Sequence, residues 1–118
     1  MHNHQLSSNT EVISMLEELK NSLKKIYGIK LKKIILYGSY ARGEQVKGSD
    51  LDVMLLLDMG DAEIREYSEA VLDLAVDLTT RTGIVISIQE NNIDFFNEWV
   101  DTLPFFSNVS SEGVALYG

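Results

Sequence analysis

Gly38-Ser39, followed ten residues later by Asp50-Leu51-Asp52, is the one stretch of this chain whose residue types and spacing suit chemistry. In an extended segment, residues two apart point to the same side, with Cα atoms roughly 6.6 Å apart. Asp50 and Asp52 can then converge on one hard divalent cation, while Leu51 points into the core. A glycine before Ser39 lets a phosphate approach the backbone where a Cβ would obstruct it. Ser39 adds a hydroxyl and opens a short helix over Ser39–Arg42, whose first N–H groups attract anions. Arg42 adds a fixed positive charge one turn on, and Ser49 immediately precedes the acidic pair. Together these residues describe metal-assisted phosphoryl or nucleotidyl transfer.

The flanking segments must position that site. Leu31–Tyr37 (LKKIILY) and Leu51–Leu57 (LDVMLLL) read as buried strands, with turns marked by Gly43 and Gly48. Gly38-Ser39 therefore sits where one strand ends, and Asp50 and Asp52 where its neighbour begins. Residues 1–8 read as a flexible polar tail, in which His2 and His4 are not expected to bind metal. Residues 9–118 read as a single domain. Ser8-x-x-Glu11 is a capping-box pattern. The helix after it carries Val12, Leu16, Leu19, Leu23 and Ile26 on one stripe and stops at Gly28. A second helix is expected from Asp61 to Thr82, with Ile64, Tyr67, Val71, Leu74 and Leu78 facing the core. A third strand is expected over Gly83–Gln89. A short helix capped by Asn92 follows, and Pro104 breaks its pattern. The fold class is thus α/β of the α+β kind, a small mixed sheet with helices packed on one face. The catalytic strand ends lie at its rim in a shallow site, which a second copy of the chain or a different protein completes. Phe95, Phe96, Trp99, Phe105 and Phe106 form the densest aromatic cluster, suited either to core packing or to an exposed patch for a partner.

Composition narrows the function. The 118 residues contain no cysteine, which excludes disulfides and thiolate metal sites and suits a reducing cytoplasm. A net charge of −8 argues against direct nucleic-acid binding and suits a protein partner, although ordinary solubility explains it as well. No run approaches membrane-spanning length, and no signal peptide is expected.

Four fixed positions of this kind arise by chance on the order of once per 10⁵ starts. The string GSYARGEQVKGSDLDVMLLL resembles the signature of the polymerase β-like nucleotidyltransferase superfamily. It is similar to the minimal, single-domain nucleotidyltransferases of bacteria and archaea, often encoded beside a helical HEPN-domain protein. The tail PFFSNVSSEGVALYG also resembles that group. The resemblance implies the polymerase β-like nucleotidyltransferase fold. It implies that Gly38 and Ser39 hold a nucleoside triphosphate, with ATP the expected one, and that Asp50 and Asp52 bind Mg²⁺ or Mn²⁺. It also implies a third carboxylate on a later strand. The expected strand Gly83–Gln89 has none: Ser87 stands in its place, and Glu90 lies just past the end.

Two functions of different class follow. In the first, the chain is an Mg²⁺-dependent nucleotidyltransferase that modifies a hydroxyl of a HEPN-domain toxin, acting as its antitoxin. In the second, the absent acid leaves a binding module that neutralises its partner by contact alone. A small-molecule transferase of the antibiotic-modifying kind is weaker, because such enzymes usually carry an extra helical domain.

Overall fold

The computed structural model describes residues 2–118, with side chains described from Thr10 onward. The two apolar runs form its central strands, β1 (Leu31–Tyr37) and β2 (Leu51–Leu57), paired antiparallel from Leu31↔Leu57 to Tyr37↔Asp52. β3 (Ile86–Asn92) runs parallel to β2, and β4 (Val114–Tyr117) antiparallel to β1. The result is a four-stranded mixed sheet in the order β3-β2-β1-β4.

Strand alternation divides β2 between two cores. Leu51, Val53, Leu55 and Leu57 meet Met15, Leu19 and Leu23 of α1 (His2–Tyr27), and Val71 and Leu78 of α4 (Ser68–Thr82). Met54 and Leu56 point the other way, against Phe96 of α5 (Ile93–Trp99) and Phe106 and Val109 of α6 (Pro104–Glu112). The two long helices share one face, as the sequence suggests, while the short helices α5 and α6 cover the other. A strand buried on both faces reads as a continuous apolar run, as LDVMLLL does.

Several boundaries differ from the sequence reading. The helix expected after Ser8 begins at His2 instead, and the side chains of the tail and of the Ser8 cap lie outside those described. The single helix expected over Asp61–Thr82 is two, α3 (Asp61–Glu66) and α4. At the joint the Ser68 hydroxyl donates to the Arg65 carbonyl, drawing it from the helical ladder. The Tyr67 ring there packs against Tyr27, centroids 5.1 Å apart. The third strand begins three residues later than expected and includes Glu90. Gly83 caps α4 in the left-handed conformation, and the Thr82 hydroxyl accepts from the Ile84 N–H, so Ile84 and Val85 serve as connection. The polar end of β3 stays extended by pairing through Leu57↔Asn92, and Asn92 then caps α5 by accepting from the Phe95 N–H.

Sequence reading stopped at Pro104, which instead opens α6, where a missing N–H costs nothing. Gly113 turns the chain from α6 into β4. A Cβ there would overlap the Ile35 side chain and the Val109 carbonyl. We expect Gly113→Ala to destabilise the fold by about 1–3 kcal/mol, read from the urea midpoint. A change below about 0.5 kcal/mol, typical of neutral surface positions, would contradict this packing.

Candidate active site

The Gly-Ser turn is set by backbone conformation. Gly38 has φ 75° and ψ −157°, on the left-handed side that favours glycine. Its carbonyl accepts from the N–H groups of Ala41 and Arg42 at 3.1 and 3.2 Å, winding the single turn α2 (Ser39–Arg42). Gly43, with φ 72°, ends that turn. The first N–H groups of such a turn have no acceptor within the helix and face outward past Gly38.

Strand register brings the acidic pair to this turn. Asp52 stands opposite Tyr37, the residue before Gly38, on one side and opposite Ser87 on the other. The Asp52 carboxylate lies so close to Gly38 that a Cβ there would overlap it. Asp50 is exposed at the mouth of β2. It follows a tight turn in which the Val46 N–H donates to the Ser49 hydroxyl (2.9 Å) and the Ser49 N–H donates to the Val46 carbonyl (3.0 Å). Ser49 therefore shapes the loop that presents Asp50. The Leu51 N–H donates to the Val85 carbonyl at 2.8 Å, anchoring the start of β2 beside β3.

Among the described residues, neither Asp50 nor Asp52 accepts a hydrogen bond or forms a salt bridge. The Asp52 carboxyl is pushed above its ordinary value by burial first and by the Asp50 charge second, with Arg42 opposing. Burial and the Asp52 charge likewise push the Tyr37 phenol upward. Sequence reasoning missed Tyr37, although its place just before Gly38 in an antiparallel pair puts it beside Asp52. The Arg42 guanidinium is engaged by Glu44, Nε to Oε1 2.8 Å, and by Glu112 of α6 at 3.4 Å. Both are exposed pairs of little net worth, so Arg42 remains open to exchange for a stronger anion.

The two candidates for the third acidic position separate. Ser87 shares the face of Asp52 and is its direct neighbour across β2 and β3. Glu90 pairs with Leu55, which points into the opposite core. There the Tyr27 hydroxyl donates to the Glu90 carboxylate at 3.2 Å, and burial pushes the Glu90 carboxyl upward. Among the described residues no group of three His, Cys, Asp or Glu side chains gathers in metal-ligand geometry. Two unpaired hard carboxylates, of which Asp52 is pushed upward in part by the charge of Asp50, still suit a divalent cation, because a cation removes the repulsion that protonation of Asp52 would otherwise relieve. A cavity of about 800 Å³ opens at the same end of the sheet, between Val12, Tyr40, Gln45 and Ile84, but excludes both aspartates.

Because folding raises the Asp52 pKa, the folded state binds that proton more tightly than the unfolded chain. Stability from this group is then fully present at low pH and lost as pH rises through the folded value. We expect metal-free Asp52→Asn to melt a few degrees above the wild type at neutral pH, with the gap closing on acidification through the carboxylate range. A gap independent of pH in differential scanning calorimetry would contradict the unpaired, half-buried charge.

Comparison with known proteins bears on the family and the fold. Residues 16–101 match the family model described as a nucleotidyltransferase domain. The chain is 36% identical over 102 residues to a Methanocaldococcus jannaschii chain named as a protein adenylyltransferase, covering 86% of this chain and 94% of the relative. It is 33% identical over 79 residues to the protein adenylyltransferase MntA of Thermococcus cleftensis, covering 63% of this chain and 78% of that one. The fold is similar to that in a solved toxin–antitoxin structure with AMP-PNP, with a TM-score of 0.51 at 20% identity over 92% of this chain and 72% of the other. With a family match across most of its length and the Gly-Ser turn facing paired aspartates, the chain belongs to the nucleotidyltransferase domain family.

Proposed function

We propose that this chain transfers a nucleoside monophosphate from ATP to a hydroxyl of a partner protein, with Asp50 and Asp52 holding Mg²⁺ or Mn²⁺. The observation that carries the reading is the placement of the Asp52 carboxylate against Gly38, with the Asp50 charge acting on it from the mouth of β2. Relatives named as protein adenylyltransferases support ATP as the donor and a protein as the acceptor. The resemblance to minimal nucleotidyltransferases supports a HEPN-domain toxin as that acceptor, with this chain as the cytoplasmic antitoxin.

In this reading, Gly38 admits the triphosphate to the backbone, and the Ser39 hydroxyl and the N–H groups of α2 bind its oxygens. Ser49 and its turn hold Asp50 at the mouth of the site, and Arg42 offsets phosphate charge. A divalent cation, when bound, supplies Lewis-acid stabilisation of the charge that develops on the phosphate oxygens. Attack by the acceptor hydroxyl forms a new oxygen–phosphorus bond at the α-phosphorus and breaks the α–β bridge. Pyrophosphate leaves with the electron pair, and the hydroxyl proton passes to solvent or to a carboxylate brought by the partner. Glu90, on the other face and held by Tyr27, takes no part.

The test is mass spectrometry of the HEPN-domain partner after incubation with this chain, ATP and Mg²⁺. We expect a gain of one or more nucleotide masses, abolished in Asp50→Asn, with metal-dependent ATP affinity falling roughly tenfold or more in the Asp50→Asn/Asp52→Asn double variant. Glu90→Gln should leave the transfer rate within about twofold, far below the 10²–10⁴-fold loss of a general base. Equal metal-dependent ATP binding by the wild type and the double variant would sink the assignment. The position of Ser87, where the family carries an acid, favours a second reading in which contact alone neutralises the partner. Growth protection by Asp50→Asn equal to wild type would select it.

A further inference from the structure

Five aromatic rings form an unbroken run across the α5–α6 face of the sheet. Tyr37 meets Phe105 edge-on at 5.6 Å, Phe105 meets Phe106 at 6.1 Å, Phe106 meets Phe95 at 5.9 Å, and Phe95 meets Trp99 at 6.4 Å. Phe106 is buried, but Phe95 and Phe105 are each 46% exposed, Trp99 38% and the intervening Leu103 37%. The core therefore uses only part of this cluster. The rest is a continuous apolar surface that begins at Tyr37, the neighbour of Asp52, and ends on the outer side of α5.

Its charge is one-sided. No lysine, arginine or histidine follows Arg81, whereas five acidic residues do. On α5, Phe95 and Trp99 lie one turn apart as an exposed ridge, and Asp94 and Glu98 form a parallel acidic ridge beside it. Asp101 extends that rim. All three acids are exposed, and none has an ion-pair partner among the described residues.

We propose that this face is a docking surface for a different protein, one that presents apolar side chains flanked by lysine and arginine. Charge decides the occupant. A second copy of this chain that set Asp94, Glu98 and Asp101 against the same acids would find no base on α5, α6 or the loop between them to offset the repulsion. A cationic rim would instead pair with all three acids while its apolar groups cover the rings, the pattern of an aromatic core within a polar rim. Because the run of rings ends beside Asp52, a protein seated here holds its nearest side chains at the candidate active site. That last step rests on the proposed transfer reaction; the docking does not.

Trp99 is the sole tryptophan and lies within the surface, so its fluorescence reports occupancy directly. The probes are two helical peptides of roughly 18 residues, about five turns, sharing one leucine stripe but flanked by lysine in one and by glutamate in the other. The lysine peptide should shift Trp99 emission to the blue and bind at least tenfold more tightly than the glutamate peptide, with the preference fading in salt. Asp94→Lys/Glu98→Lys/Asp101→Lys, all exposed positions, should reverse the preference, and Asp50→Asn should leave it unchanged. Equal binding of both peptides, or of neither, would overturn the proposal even in the unmodified protein. So would a concentration-dependent dimer that Trp99→Ser disperses in sedimentation, which would give the surface to a second copy. If the lysine peptide docks yet a serine- or tyrosine-bearing version gains no nucleotide while ATP and Mg²⁺ bind, docking stands and the transfer reading fails.

Discussion

The candidate site depends on one close approach, the Asp52 carboxylate against the Gly38 backbone. Three independent requirements meet there. The antiparallel register fixes Tyr37 opposite Asp52, so the residue after Tyr37 must turn away above the carboxylate. That turn requires φ 75°, which an L-residue rarely adopts. The space is also too small for a Cβ. Glycine is therefore dictated at this position by the acid beside it before any phosphate arrives. A phosphate that uses the same opening is placed next to the carboxylates by the fold itself. Under the proposed function, binding and chemistry share one constraint.

A carboxylate held in this way is uncomfortable without a ligand. Asp52 is desolvated and beside Asp50, its carboxylate accepts no hydrogen bond among the described residues, and the opposing charge, Arg42, is engaged by Glu44 and Glu112. Structural carboxylates are normally satisfied by their surroundings, as Glu90 is in part by Tyr27. The contrast between the two acids marks Asp52 rather than Glu90 as the candidate functional position. The unsatisfied acid stores an affinity for a cation or a proton, which ties the folding energetics of the apo chain to occupancy of its site.

The centre of the fold was legible because its signals are local. LDVMLLL is a continuous apolar run and LKKIILY ends in one, both short and bounded by turn residues as strands are, and Gly38, Gly43 and Gly83 mark the turns where positive φ is needed. Where sequence reading failed, tertiary contacts decide. The polar segment Gln89-Glu90-Asn91-Asn92 has weak strand propensity and becomes strand by pairing with the apolar end of β2. The break at Tyr67 depends on Tyr27, forty residues away, and on one serine hydroxyl. Pro104 was read as a stop because proline ends and begins helices with equal ease, and only the packing of Phe106 and Val109 distinguishes the two. At the candidate site, residue types and spacing single out Gly38, Ser39, Asp50 and Asp52, whereas Tyr37 requires the register.

The third acidic position shows how strictly a sheet separates its faces. Side chains alternate with a period of two, so an acid on β3 reaches Asp52 only at Ser87 or two residues from it. Gln89 and Asn91 occupy the following positions on that face, and neither carries a charge. Glu90 has the right chemistry at the wrong parity. No rotation of its side chain carries it through a sheet whose other face is packed by α1 and α4. A catalytic device that needs a further carboxylate beside Asp52 does not find it on β3, and one brought by a partner would have to reach the Asp52 face. The face on which it would arrive is the one that bears the exposed aromatic run, so the missing acid and the uncovered rings point to the same side of the molecule.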